Sequence, residues 1–205
     1  MRQNLTVIDG FLADPQAVRD FALEHDFSGA NQMDGHSYPG TAKPKHPQFH
    51  AWVEQQLSLA IGLPVKANTI AFVSSKEGEF TEQWIHADSN CARWAAVCYL
   101  FEGHHEHGTA FWRHRETQTS EMTQPFYDAL KIDLKDEKQV EALVERVKAE
   151  ANDEQFWEKA DFTEARFGRL IWFNSKLWHS RYPRHAFGDS VETSRLIMVA
   201  FFDTP

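Results

Sequence analysis

Three side chains in this sequence could converge on one divalent ion. His86 and Asp88 flank Ala87 in the run Gln83-Trp84-Ile85-His86-Ala87-Asp88, which reads as a short strand. Side chains alternate along a strand with period two, so His86 and Asp88 fall on one face. A third donor, His179, follows the apolar run Trp172-Phe173 and sits where a loop or strand start would bring it to a barrel mouth. Two imidazoles and a carboxylate on one side of an ion leave the opposite positions open, the facial arrangement that holds Fe(II). The same donors suit Mn(II) and Zn(II), and only geometry separates the three metals. A His-x-Asp triplet alone is common by chance, and a lone histidine such as His179 is as readily a core residue bonded to backbone. The order of the set carries the reading.

Arg195 opens the last apolar run, Arg-Leu-Ile-Met-Val-Ala-Phe-Phe. Alternation groups it with Ile197, Val199 and Phe201 on one face. A guanidinium on an apolar inner face calls for an anion, and a carboxylate matches its fork best. The competing placement is a strand edge with the head group reaching water.

The elements that must position these residues are legible in outline. Residues 5–12 read as an entering strand and turn, then Asp14 caps a helix whose first position is Pro15. Val18, Phe21, Ala22 and His25 follow helical spacing. Residues 28–45 are rich in Gly, Asn, Asp, Ser and Pro, include Tyr38-Pro39-Gly40, and read as a long loop. A second helix starts near Pro47, with Phe49, Trp52, Val53, Leu57 and Ala60 as its apolar face and Gly62 and Pro64 as its stop. Strands are expected over 69–75, 82–88, 92–101, 109–113, 169–174 and 195–202. Residues 114–165 break that rhythm. Val140, Leu143, Val144 and Val147 mark an amphipathic helix there, within an insertion. Helices first, then many short strands with one helical excursion, predict a mainly β or α+β sandwich or barrel.

The 205 residues suffice for a single domain, 1–205, with a helical buttress over 1–66 and the insertion over 114–165. Composition is 42% hydrophobic and 13% aromatic with seven tryptophans, which predicts a thick aromatic interior. A net charge of −9 opposes polyphosphate partners, so no nucleic acid is expected and a small-molecule or peptide substrate fits better. Cys91 and Cys98 lie too far apart along one strand to bridge, which points to reduced thiols and a cytoplasmic setting. No signal peptide opens the chain, and no run approaches the roughly eighteen apolar residues of a membrane span. Oligomeric state stays open, a homodimer being one option.

These residues carry a resemblance. The ordered set HADSN (86–90), VCYLF (97–101), GTAF (108–111), FGRLIWFNSKLWHS (167–180) and SRLIMVAFF (194–202) resembles the Fe(II)/2-oxoglutarate-dependent oxygenase superfamily, in particular its prolyl-hydroxylase-like branch. The opening VIDGFLADPQAVRDFAL (7–23) resembles the leading segment of related bacterial proteins. The likeness implies a double-stranded β-helix, the jelly-roll or cupin-like barrel, with a metal at its open end. It implies that His86, Asp88 and His179 are the iron ligands and catalytic centre. Arg195 matches the basic residue that pairs with the far carboxylate of 2-oxoglutarate, and Tyr99 a tyrosine bonded to the same group. The His179-to-Arg195 spacing is longer than in the shortest members and the glycine expected before the arginine is displaced to Gly188, so Arg181 or Arg184 compete for that role. The implied activity is a dioxygenase that consumes 2-oxoglutarate and O₂, releases succinate and CO₂, and oxidises a substrate, by hydroxylation in the usual case.

Two readings from other classes stand beside it: a jelly-roll protein that binds metal as a sensor without turnover, and a cupin-like metalloenzyme without 2-oxoglutarate. Trp84, Trp112 and Phe173 are candidate pocket walls, with plain core packing as their alternative. His104, His105 and His107 read as a solvated loop, with a second metal site as the competing reading. His185 either lines the mouth or faces water, Arg113 and Arg115 read as exposed strand ends with an anionic substrate as the competing role, and Glu141, Glu145 and Glu150 read as a solvated helix face with a lid or dimer contact as the alternative.

Overall fold

The computed structural model describes residues 4–28, 31–32, 37–38, 40–79, 81, 83–88 and 91–205. In chain order its elements are β1 (Leu5–Ile8), α1 (Pro15–Leu23), β2 (Asn31–Gln32), β3 (Ser37–Tyr38), β4 (Thr41–Ala42), α2 (Pro47–Ile61), β5 (Lys66–Ser75), β6 (Trp94–Tyr99) and β7 (Gly108–His114). They continue with α3 (Gln124–Ala129), α4 (Glu137–Glu150), β8 (Trp157–Glu164), β9 (Leu170–Asn174), β10 (His179–Tyr182) and β11 (Arg195–Asp203).

The helix signals act where the sequence puts them. The Asp14 carboxylate accepts from Ala17 N–H and Pro15 takes the first turn of α1, satisfying a donor that has no partner inside the helix. Gly62 ends α2 at φ 77°, a left-handed cap that a side chain would strain. Both helices lie against a six-stranded sheet of order β1-β9-β6-β11-β5-β4, faced by a three-stranded sheet of order β10-β7-β8. All the pairings within these two sheets are antiparallel.

Period-two alternation sorts the large sheet into two faces. Phe72, Cys98, Leu170, Leu196, Met198 and Phe202 pack outward against Val18, Ala22, Val53 and Leu57 of the helices. Ala71, Val73, Tyr99, Ile171, Phe173, Ile197, Val199 and Phe201 point between the sheets. Beyond the small sheet lies a third layer, in which Trp84, Trp112, Trp157 and Trp178 pack with Phe126, Leu143 and Val147 of α3 and α4. Each such side chain contributes about 1.5–3 kcal/mol when fully buried. The layers therefore clamp the small sheet from both sides and fix the strand that carries His179.

Several expectations are corrected. Residues 83–88 form no regular strand; they touch the sheet through a single isolated bridge, His86 to His179. The stretch 28–45 holds short pairings, with β4 joined to β5, and Pro39 lies outside the described residues. Residues 157–164, read as insertion, are β8 and pair along the whole of β7. His25 falls beyond the end of α1, Ala60 is exposed, and Val144 is 42% exposed. Glu150 takes the inward place on α4 instead, buried against His114 at 3.1 Å and Arg146 at 2.7 Å. A charged pair can occupy such a place because each partner satisfies the other's polar atoms. Cys91 and Cys98 form no bridge with each other, and burial pushes the Cys98 thiol pKa up. Among the described residues no helix is long and apolar enough to cross a membrane.

Candidate metal centre

His179 begins β10, where its register partner is Phe111 of β7. Its backbone exchanges two hydrogen bonds with His86, N–H to O at 2.9 and 3.0 Å, and Asp88 N–H donates to Ser175 O at 2.8 Å. These three main-chain bonds replace the expected strand and bring the two segments into one place. Alternation still holds in effect, since His86 and Asp88 both face the ion-binding volume across Ala87.

The rings are oriented from behind. His86 Nδ1–H donates to Trp84 O at 3.1 Å and His179 Nδ1–H to Leu177 O at 2.8 Å, which assigns the proton to Nδ1 in each ring. Both Nε2 lone pairs then aim at Asp88, at 3.5 Å from Oδ1 for His86 and 3.2 Å from Oδ2 for His179. The three donor atoms lie within 4.8 Å of one another. Asp88 is 4% and His179 7% exposed. Three lone-pair donors crowded into a poorly solvated volume repel unless a cation sits among them. The set therefore fits a divalent ion, with borderline nitrogen and oxygen ligands on one side only.

The centre opens on a cavity with about 720 Å³ of atom-free space, its mouth included, walled by Val73, Ala95, Ile197, Val199 and Phe201 and by the polar Ser75, Thr81, Thr109, Arg181 and Arg195. Arg195 is 4% exposed and its Nη2 donates to Gly108 O at 3.1 Å, whereas its buried Nε has no partner among the described residues. Burial pulls its pKa down to about 10, with Tyr99 opposing and Arg181 adding. It is not an edge residue. Gly108 is required by the packing of β7 on β8, since a Cβ there would meet Thr163 O at 2.0 Å.

The competing arginines are occupied. Arg184 donates to Asn152 O and Oδ1 at 2.9 and 2.8 Å, away from the cavity. Arg181 reaches the wall, but its Nε and Nη2 donate to Arg184 O and Glu79 O at 2.9 and 2.6 Å. Tyr99 lies behind the wall, its hydroxyl 2.8 Å from Thr109 Oγ1, and burial pushes its pKa up to about 12. Thr109 is the residue on the surface, missed on sequence although its alternation with Phe111 along β7 marks it as inward. Of the three aromatic candidates Trp84 lines the cavity. Phe173 packs edge-on against the His179 ring at 4.7 Å, and Trp112 sits in the outer tryptophan layer with its Nε1 donating to Ser180 Oγ at 3.0 Å.

The facing antiparallel sheets form a cupin-like double-stranded β-helix, and solved structures share that fold. HygX from Streptomyces hygroscopicus, crystallised with iron bound, superposes with a TM-score of 0.57 at 12% identity over 98% of this chain and 82% of its own. SnoK, a non-heme alpha-ketoglutarate-dependent carbocyclase from nogalamycin biosynthesis, gives 0.55 at 14% identity over 98% and 81%. The alpha-ketoglutarate-dependent epimerase SnoN gives 0.52 at 13% identity over 99% and 77%. At such identities these likenesses establish the fold alone. No curated protein matches the sequence. The chain belongs to the family of unknown function DUF6445, which matches residues 1–202.

Proposed function

We propose that this protein is an Fe(II)/2-oxoglutarate-dependent oxygenase acting on a small molecule or peptide. The observation that carries the reading is that a buried arginine, its Nε without a partner among the described residues, shares one cavity with three converging donors. His86, Asp88 and His179 would hold the iron, and Arg195 would take the far carboxylate of 2-oxoglutarate. The metal and the oxo acid, when bound with O₂, supply the oxidising power that attacks a substrate C–H bond while succinate and CO₂ are released.

The chain's own residues do the rest. Trp84 O and Leu177 O hold both imidazoles in the ligating tautomer. Gly108 O steers the Arg195 head into the cavity, and Thr109, backed by Tyr99, offers a second polar contact beside it. The apolar wall of Val73, Ile197, Val199 and Phe201 limits water at the reacting centre. The branch of the superfamily, the reaction as hydroxylation, a single domain over 1–205 and a cytoplasmic setting belong to the same proposal.

A metal-binding sensor without turnover, or a cupin-like enzyme without an oxo acid, would have no use for Arg195 in that place. Anaerobic mixing with Fe(II) and 2-oxoglutarate should produce a visible charge-transfer band, and slow succinate release should follow on admitting O₂. His179→Ala should abolish both. A protein that binds Fe(II) but gives no band at millimolar 2-oxoglutarate would refute the proposal.

A further inference from the structure

The connection between β6 and β7 holds a second cluster with the same donor chemistry. His104 Nδ1 and His107 Nε2 lie 3.4 and 3.5 Å from one carboxylate oxygen, Glu106 Oε1. Their donor atoms fall within 4.8 Å of one another. A tight turn builds the cluster, with His107 N–H donating to His104 O at 3.0 Å.

The sequence placed all three histidines of this loop in solvent. The structure instead buries His107 to 2% exposure, and its Nδ1 has no partner among the described residues. Burial is the main reason its pKa falls to about 4, opposed by Glu106 and aided by Arg195, His104 and His185. The ring nitrogen turned toward the cluster is His107 Nε2, 3.5 Å from Glu106 Oε1. Packing also fixes the rings. His104 stacks on Phe187 at 3.6 Å and 16°, and His107 meets the same ring edge-on at 4.7 Å. Glu106 and the His104 side chain remain solvent-facing, at 63% and 39% exposure, so water can complete a coordination shell.

We propose that His104, Glu106 and His107 form a second site for a borderline divalent cation of the Zn²⁺ type, separate from the His86–Asp88–His179 centre. Two imidazoles favour such an ion over Ca²⁺ or Mg²⁺, which select all-oxygen sites. The site borders the cavity that Arg195 enters, because His107 directly precedes Gly108, whose carbonyl holds Arg195. An ion there would fasten the β6–β7 connection beside that carbonyl. The inference stands on its own residues and does not depend on the proposed activity.

The test counts zinc on the full chain. Chelator-stripped protein, equilibrated with Zn²⁺ and desalted, should carry two ions by elemental analysis, falling to one in His86→Ala/His179→Ala. Calorimetry on that double variant should show one Zn²⁺ site whose Kd rises at least about tenfold with His104→Ala or with Glu106→Gln. Both are solvent-facing positions chosen to spare the fold, and circular dichroism checks it. Should the double variant not fold, the wild-type count must still fall from two to one in His104→Ala. A wild-type count of one, or a second ion indifferent to both substitutions, overturns the proposal. The Fe(II)–2-oxoglutarate band reports the first centre separately, so either idea can fail alone.

Discussion

Replacing Arg195 by methionine should weaken 2-oxoglutarate binding severely while leaving the fold about as stable as before. The guanidinium is 4% exposed, and its pKa near 10 expresses how much burial disfavours its charge. That depression corresponds to about 3 kcal/mol carried by the fold at neutral pH when no anion faces the head group. Methionine fills the same stem volume without the charge, and it forfeits one hydrogen bond, to Gly108 O at 3.1 Å. An orphaned carbonyl costs about 1–3 kcal/mol, so the two contributions nearly cancel and the melting temperature should hold or rise. Binding behaves oppositely. Removing one member of a buried charge pair costs about 2–5 kcal/mol, or roughly thirtyfold to several thousandfold in Kd. Anaerobic titration of the Fe(II)-loaded protein with 2-oxoglutarate, read on the charge-transfer band, measures that loss, and Fe(II) affinity in the same samples should stay close to wild type. The reasoning fails if the variant loses more than about 3 kcal/mol of stability with an unchanged Kd, since Arg195 would then be a structural strut.

Gly108→Ala should cost at least about 3 kcal/mol in urea unfolding, because the new methyl meets backbone at Thr163 O, 2.0 Å away, and backbone cannot step aside; wild-type stability would contradict the close packing of β7 on β8. Glu150→Ala should cost about 1–3 kcal/mol by leaving buried His114 Nε2 without its partner and freeing Arg146. Below its melting temperature this variant should still give the charge-transfer band, and loss of the band would show that the α4 anchor reaches the metal centre. High pH separates Tyr99 from Arg195. The folded chain keeps the Tyr99 proton up to about pH 12 while an unfolded tyrosine releases it near 10, so Tyr99 lowers stability as pH climbs through that window. Arg195 works in the other direction, because its folded pKa of about 10 lies below the ordinary guanidinium value and the unfolded chain binds the extra proton. The stability of Tyr99→Phe relative to wild type should therefore rise between pH 10 and 12, and a flat difference would contradict the burial of the phenol.

The order of donors along the chain singled out His86, Asp88 and His179, which the structure brings together, while alternation in the last strand favoured an inward Arg195 over an edge placement. Helix limits were equally plain, because Asp14, Pro15, Pro47 and Gly62 act through local backbone geometry. Local pattern misled where partners are distant. Residues 83–88 alternate like a strand, yet their backbone bonds go to Ser175 and His179, contacts that no window of neighbouring residues encodes. Glu150 reads as a solvated residue on α4 until β7 brings His114 beneath it.

Residue type and spacing determined the donor set, the helix caps and the inward face of the closing strand, since each depends on chemistry within a few positions. Which arginine enters the cavity, which hydroxyl reaches the wall, and which histidines leave water were decided only when the two sheets closed. Burial and hydrogen-bond partnership are properties of the packed chain, and packing joins residues that the sequence holds far apart.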